Sequence, residues 1–232
     1  MKTNIIACRT LEQELRAAAA RCGCTYEIRW IPSGLHNIPA QLRGALQESL
    51  DACGNCGRVL LAAGFCGNAV AGLRTHGAEL IVPKVDDCIS LLCGSQERRM
   101  NFRDSYFLTE GWLRGERTIW HEYEHTVEKY GEKRAKMIFQ TMLHGYRYCA
   151  MLDTGCFPFE PVSQEVRRIA QALGLEYCVI EGTTAYLERL LRGPWRPEAF
   201  LTVPPYRILT SDMLARPVSC GQEGKAVEDL CQ

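Results

Sequence analysis

The hydrophobic pattern changes period repeatedly along the first hundred residues. Residues 4–8 form a short β-branched run, and residues 10–21 follow with Leu11, Leu15 and Ala18 at helical spacing. Residues 26–31 read as a second strand closed by Pro32-Ser33-Gly34, and residues 41–52 as the next helix. Residues 58–63 are nearly all apolar, the pattern of a strand covered on both faces, and Gly64-Phe65-Cys66-Gly67-Asn68 turns that strand toward a helix. Residues 79–82 give another strand, followed by Pro83, Asp86, Asp87 and Cys88 ahead of an apolar helix.

The middle of the chain reads differently. Residues 116–143 are polar and helical in pattern, broken at Gly131 and closed near Gly145, which predicts an inserted helical hairpin. Beyond it, residues 148–152 are a strand leading into Asp153-Thr154-Gly155-Cys156, residues 163–173 a helix stopped by Gly174, residues 176–181 a strand and residues 186–191 the start of a helix. Repeated βα units of this kind predict an α/β fold, a Rossmann-like parallel sheet with helices on both faces and a helical insertion in the middle. The expected organisation is a first α/β half over 1–98, the helical insertion over 99–146, a second α/β half over 147–210 and a loosely held tail over 211–232.

Composition narrows the function. The chain has 232 residues, of which 47% are hydrophobic, and 27 Lys+Arg balance 27 Asp+Glu. That combination excludes a disordered chain. Zero net charge argues against a dedicated nucleic-acid binder, which needs a basic surplus to neutralise phosphates. No window supplies the roughly 18 apolar residues of a membrane helix. The apolar run near the start is too short for a secretion signal, so a cytoplasmic protein is expected. Thirteen cysteines is an odd and high count in a chain too long to need a disulfide framework. Free thiols in a reducing cytosol, such as an anaerobe's, are the expectation.

Four of those cysteines stand out. Cys8, Cys66, Cys88 and Cys156 each lie at or just past the C-terminal end of a predicted strand, the edge of a parallel sheet where loops converge and ligands bind. Three converging thiolates would hold zinc, or an iron-sulfur cluster with one open iron, because both favour sulfur donors. A nearby helix N-terminus is expected to lower each thiol pKa. The competing reading is four buried cysteines without a shared ligand.

Other patterns compete with this one. His121-Glu122-Tyr123-Glu124-His125 matches H-E-x-x-H, with both imidazoles on one helix face and Glu122 as the base of a zinc hydrolase; the polar surroundings equally fit a solvated helix face. Cys22-Gly23-Cys24 and Cys53-Gly54-Asn55-Cys56 supply ligands for a structural zinc, or are simple thiols near helix ends. Asp87, Glu110 and Asp153 are acids near the expected crevice, and an aspartate at such a place is as readily a helix cap. Phosphate-binding glycine loops and the G-x-S-x-G elbow do not occur.

Several stretches in order resemble the signature of an uncharacterised domain-of-unknown-function family of bacteria and archaea, many of them anaerobes. They are Ala7-Cys8, Gly64 to Asn68, the segment through Asp87-Cys88 to Gly94-Ser95, the Tyr106 to Trp112 segment, Leu152-Asp153-Thr154-Gly155 and Glu181-Gly182. The resemblance covers about residues 4 to 205. Members are often encoded near corrinoid-dependent methyltransferases, and the family's cysteines fall on Cys8, Cys66 and Cys88. One departure is Asp86-Asp87-Cys88 where the family usually shows His-Asp-Cys, which removes a possible fourth ligand.

The strand-end argument, with which the resemblance agrees on three cysteines, leads to the expectation of a metal-centre protein, and the resemblance adds corrinoid-linked one-carbon metabolism. Cys8, Cys66 and Cys88 are the expected metal ligands, Asp87 and Glu110 the expected acids, and Asn68, Ser95, Thr109 and Asp153 the expected cofactor contacts. Zinc, an iron-sulfur cluster or a corrinoid is the expected cofactor. A small molecule, a corrinoid protein or a methyltransferase is the expected partner. The alternatives are the His121/His125 zinc hydrolase and a non-catalytic partner of a methyltransferase.

Overall fold

In the computed structural model, which describes residues 2–54 and 56–214, the apolar runs become eight strands: β1 (Thr3–Cys8), β2 (Glu27–Ile31), β3 (Arg58–Ala62), β4 (Glu79–Pro83), β5 (Ser105–Leu108), β6 (Tyr148–Asp153), β7 (Glu176–Glu181) and β8 (Phe200–Val203). Helix α1 (Glu12–Cys22) connects β1 to β2, and α2 (Pro39–Asp51) connects β2 to β3. Short helices α3 (Cys88–Leu92) and α4 (Gln96–Met100) follow β4, and α5 (Glu110–Leu113) follows β5. The polar middle stretch is a hairpin of α6 (Ile119–Tyr130) and α7 (Glu132–Met142), hinged at Gly131, whose φ of 81° suits only a residue without Cβ. Helices α8 (Phe159–Leu173) and α9 (Ala185–Arg192) flank β7, and α10 (Ser211–Leu214) follows β8.

The architecture is mixed α/β with mostly parallel strands flanked by helices, but the strands divide between two sheets. One has the order β2-β1-β3-β4-β8, parallel except for β8, which returns antiparallel to β4; the other is the parallel trio β5-β6-β7. The stretch 99–146 thus contributes a strand as well as helices. Period-2 alternation in β6 ties the sheets together. Tyr148, Ala150 and Leu152 belong to the main core beneath the large sheet, while Cys149 and Met151 face the second core under α7 and α8.

Central strand β3 is buried along almost its whole length, as a strand covered on both faces requires. Leu214 of α10 is buried; the rest of the C-terminal stretch, 215–232, lies outside the described residues. No helix among the described residues is long and apolar enough to cross a membrane.

Candidate functional site: a three-thiol cavity

Strand order decides which cysteines meet. Because β1, β3 and β4 are successive neighbours in one parallel sheet, their C-terminal ends lie side by side; Cys8 ends β1, Cys66 lies in the loop after β3, and Cys88 opens the helix after β4. All three line one cavity of about 150 Å³, walled by Ile31, Leu42, Leu46 and Trp112 and edged by Ser33 and Asp87.

The loop carrying Cys66 is held by close backbone contact. A Cβ on Gly64 would stand 2.5 Å from the Asp87 backbone, so only glycine lets the loops after β3 and β4 touch. The contact is sealed by the Phe65 N–H donating to the Val85 carbonyl (2.9 Å) and the Cys66 N–H to the Asp86 carbonyl (2.8 Å). Cys66, Gly67 and Asn68 then run through three left-handed residues, with φ of 45°, 64° and 64°. A non-glycine residue there costs on the order of 1 kcal/mol, a cost that surrounding structure must offset.

Cys88 neighbours both Cys8 and Cys66 closely enough for each to act on its protonation, and the Cys8 sulfur lies 3.1 Å from the Thr10 hydroxyl. Cys88 is buried. Its pKa rises, first because Cys66 shares a hydrogen bond with it and then because burial disfavours the thiolate; Cys8 is raised by its bond to Cys88 and by burial. Both sulfurs are therefore held as neutral thiols at neutral pH. The expectation of lowered pKa values is corrected here: Cys88 opens a helix of only five residues, and thiol neighbours with burial outweigh its N-terminus.

A model of the family described as "Protein of unknown function (DUF1638)" matches residues 30–191. The chain belongs to this family. No curated protein and no solved structure matches it. In this DUF1638 protein the matched stretch contains Cys66, Cys88, Asp87 and Trp112, while Cys8 precedes it.

Other acids and hydroxyls of this DUF1638 chain serve local structure. Asp87 caps α3, its Oδ1 accepting from the Ser90 N–H and hydroxyl at 2.7 Å each, and it alone of the expected acids edges the cavity. Glu110 lies outside the cavity and pairs with Arg114 at 3.4 Å. Ser95 caps α4, Thr109 caps α5, and Asp153 accepts from the Gly155 N–H at 3.0 Å; none lines the cavity. Asn68 is exposed, and its carbonyl accepts from Arg43. Cys156, the fourth strand-end thiol, leaves the other sheet and sits 3.9 Å from Arg21.

Trp112 is the wall that the sequence reading misses. The signal is Gly111: a Cβ there would overlap the Thr10 carbonyl and stand 2.7 Å from its carbon, so glycine lets α5 press onto the Arg9–Leu11 turn and bring Trp112 to Cys8.

The remaining patterns do not converge. His121, Glu122, Glu124 and His125 are exposed on α6, whose buried residue is Tyr123. The Cys22/Cys24 and Cys53/Cys56 pairs precede β2 and β3, at the opposite sheet edge from the cavity. Their thiols donate to backbone carbonyls, Cys22 to Glu188 and Cys53 to Ser49. Among the described residues, no group of three or more His, Cys, Asp or Glu is placed so that it could hold a metal ion, the Cys8, Cys66 and Cys88 set included.

Proposed function

We propose that this protein captures a thiophilic metal centre, zinc or an iron-sulfur cluster, through Cys8, Cys66 and Cys88, and handles it in corrinoid-linked one-carbon metabolism. The observation that supports the capture is that three distant βα units deliver three thiols to one cavity. The link to corrinoids rests on the family resemblance alone.

The donor type suits such a centre, although the three sulfurs would have to draw together from their present placement to ligate it. Sulfur is the ligand these metals prefer, and the apolar walls disfavour three bare thiolates but tolerate them once a cation replaces their protons. Bound there, the metal would supply Lewis acidity or electron transfer. The cavity has about 150 Å³ of room, and Trp112 forms one of its apolar walls. Asp87, held by its capping bonds at the edge, is the carboxylate placed to accept a proton from a ligand in the cavity.

Anaerobic purification with metal quantification and an absorption spectrum tests the reading. The expected result is a stoichiometric metal that is lost in Cys66→Ser and in Cys88→Ser. A metal-free wild-type protein that also fails to take up added zinc or ferrous iron, or a Cys66→Ser variant with full metal content, overturns it.

A further inference from the structure

A cavity with about 560 Å³ of room lies between the small sheet and the α6–α7 hairpin, within the range of small-molecule sites. Its walls are aromatic: Tyr106 and Tyr146 meet edge to face with ring centroids 5.6 Å apart, Phe139 forms part of the floor, and Trp112 closes the side that it shares with the thiol cavity. Two opposite charges line the same space. Arg117 just precedes α6 and Glu122 lies in its first turn, and among the described residues neither has an ion-pair partner. Nearby charges do pair: Arg114 engages both Glu110 and Glu165. The Tyr106 hydroxyl has no hydrogen-bond partner among the described residues either.

An unpaired guanidinium suits a carboxylate-type anion. An unpaired carboxylate beside aromatic faces suits a cationic nitrogen, which the ring quadrupoles attract. A ligand with one charge alone engages only one of the two side chains and leaves the other to solvent. We propose that this chamber binds an organic zwitterion, an apolar or aromatic body carrying both a cationic nitrogen and a carboxylate, with Arg117 on the anion and Glu122 on the cation.

Three probes with one common body separate the terms: phenylalanine, 3-phenylpropionate and 2-phenylethylamine, titrated calorimetrically into the full chain. Phenylalanine is expected to bind about tenfold tighter than either singly charged probe. Arg117→Gln brings phenylalanine down about tenfold and leaves 2-phenylethylamine unchanged, while Glu122→Gln lowers the amine and leaves 3-phenylpropionate unchanged. Both side chains are exposed, so both variants fold. Cys66→Ser retains phenylalanine binding whether or not it retains metal, which separates this site from the three-thiol reading. The proposal is overturned if none of the probes binds, if a singly charged probe binds as tightly as phenylalanine, or if the two charge variants leave all affinities unchanged.

Discussion

Replacing Gly111 with alanine tests whether backbone contact between α5 and the Arg9–Leu11 turn builds the thiol cavity. The added Cβ would lie 2.7 Å from the Thr10 carbonyl carbon and 3.1 Å from its Cα, and it would overlap the carbonyl oxygen. All three are main-chain atoms, so no side chain can rotate away and the two elements must separate. Overpacking of this kind costs about 1–3 kcal/mol, and rigid backbone puts this site at the upper end. Helix propensity acts the other way, favouring alanine by about 1 kcal/mol.

The clash wins, leaving a net loss of about 2 kcal/mol, or roughly 4–8 °C in melting temperature for a chain of this size. Gly44→Ala in α2 is the control, because nothing lies within 4 Å of its Cβ and only propensity acts; it should melt slightly higher than wild type. The separation also carries Trp112 from the cavity and disturbs Thr10, which contacts Cys8, so Gly111→Ala should take up metal more weakly. Calorimetric melting of both variants settles it. A Gly111→Ala protein that matches or exceeds wild type, as Gly44→Ala should, refutes the close-approach argument.

Further outcomes follow from the same geometry. Raised Cys8 and Cys88 pKa values favour the folded apo protein below the ordinary thiol value of 9.0, and that contribution is lost as pH rises through the folded values. Cys93, pushed up to about 11 by burial, and Cys149, up to about 12, act in the same direction. Metal-free melting temperatures should therefore fall above about pH 9, and less steeply in a Cys8→Ser/Cys88→Ser variant. Buried Glu14 in α1 has its pKa raised mainly by desolvation, and its Oε2 lacks a partner, so its ionisation opposes folding at neutral pH. Glu14→Gln should melt higher than wild type at neutral pH, with the gain vanishing toward pH 4, where both are uncharged. Asp87→Ala should lose about 1 kcal/mol of capping energy in denaturant titrations, whereas Asp87→Ser should keep most of it. His121→Ala with His125→Ala should stay within about 0.5 kcal/mol of wild type and keep any bound metal, since both histidines are exposed.

Much of the cavity is legible before any coordinates. Residues 58–63 and 79–82 announce buried parallel strands through unbroken apolar runs, and a thiol beyond the end of each such strand can only be at the sheet's loop edge. What the pattern does not contain is pairing partner. Ser105–Leu108 is only four residues long and Phe200–Val203 is equally short, so neither periodicity nor length shows that β5 founds a second sheet or that β8 runs back along β4. Ser95 and Thr109 look like ligand hydroxyls because an N-cap and a binding residue share one chemistry; only the bonds to the Arg98 and Trp112 N–H groups distinguish them. Trp112 is hidden for a related reason, since its place depends on contact between segments a hundred residues apart.

Strain at Cys66 gives a separate handle on whether the thiol, rather than the fold, dictates this loop. With φ at 45° the residue is left-handed, and two bonds to the loop after β4 hold it there. A Cβ in that region costs on the order of 1–2 kcal/mol, while glycine loses about 0.5–1 kcal/mol through greater freedom of the unfolded chain. Cys66→Ala keeps the strain and Cys66→Gly removes it, so the usual order should invert and the glycine variant should be at least as stable as the alanine one in urea titrations. Both lose the sulfur equally, so a difference between them reports backbone alone. If alanine proves more stable by the ordinary increment of about 0.4–1 kcal/mol, the loop is unstrained and a cysteine there is merely tolerated. If glycine matches or exceeds it, the chain carries a conformational cost that glycine would relieve, and presenting a sulfur to Cys88 is what the cost accompanies.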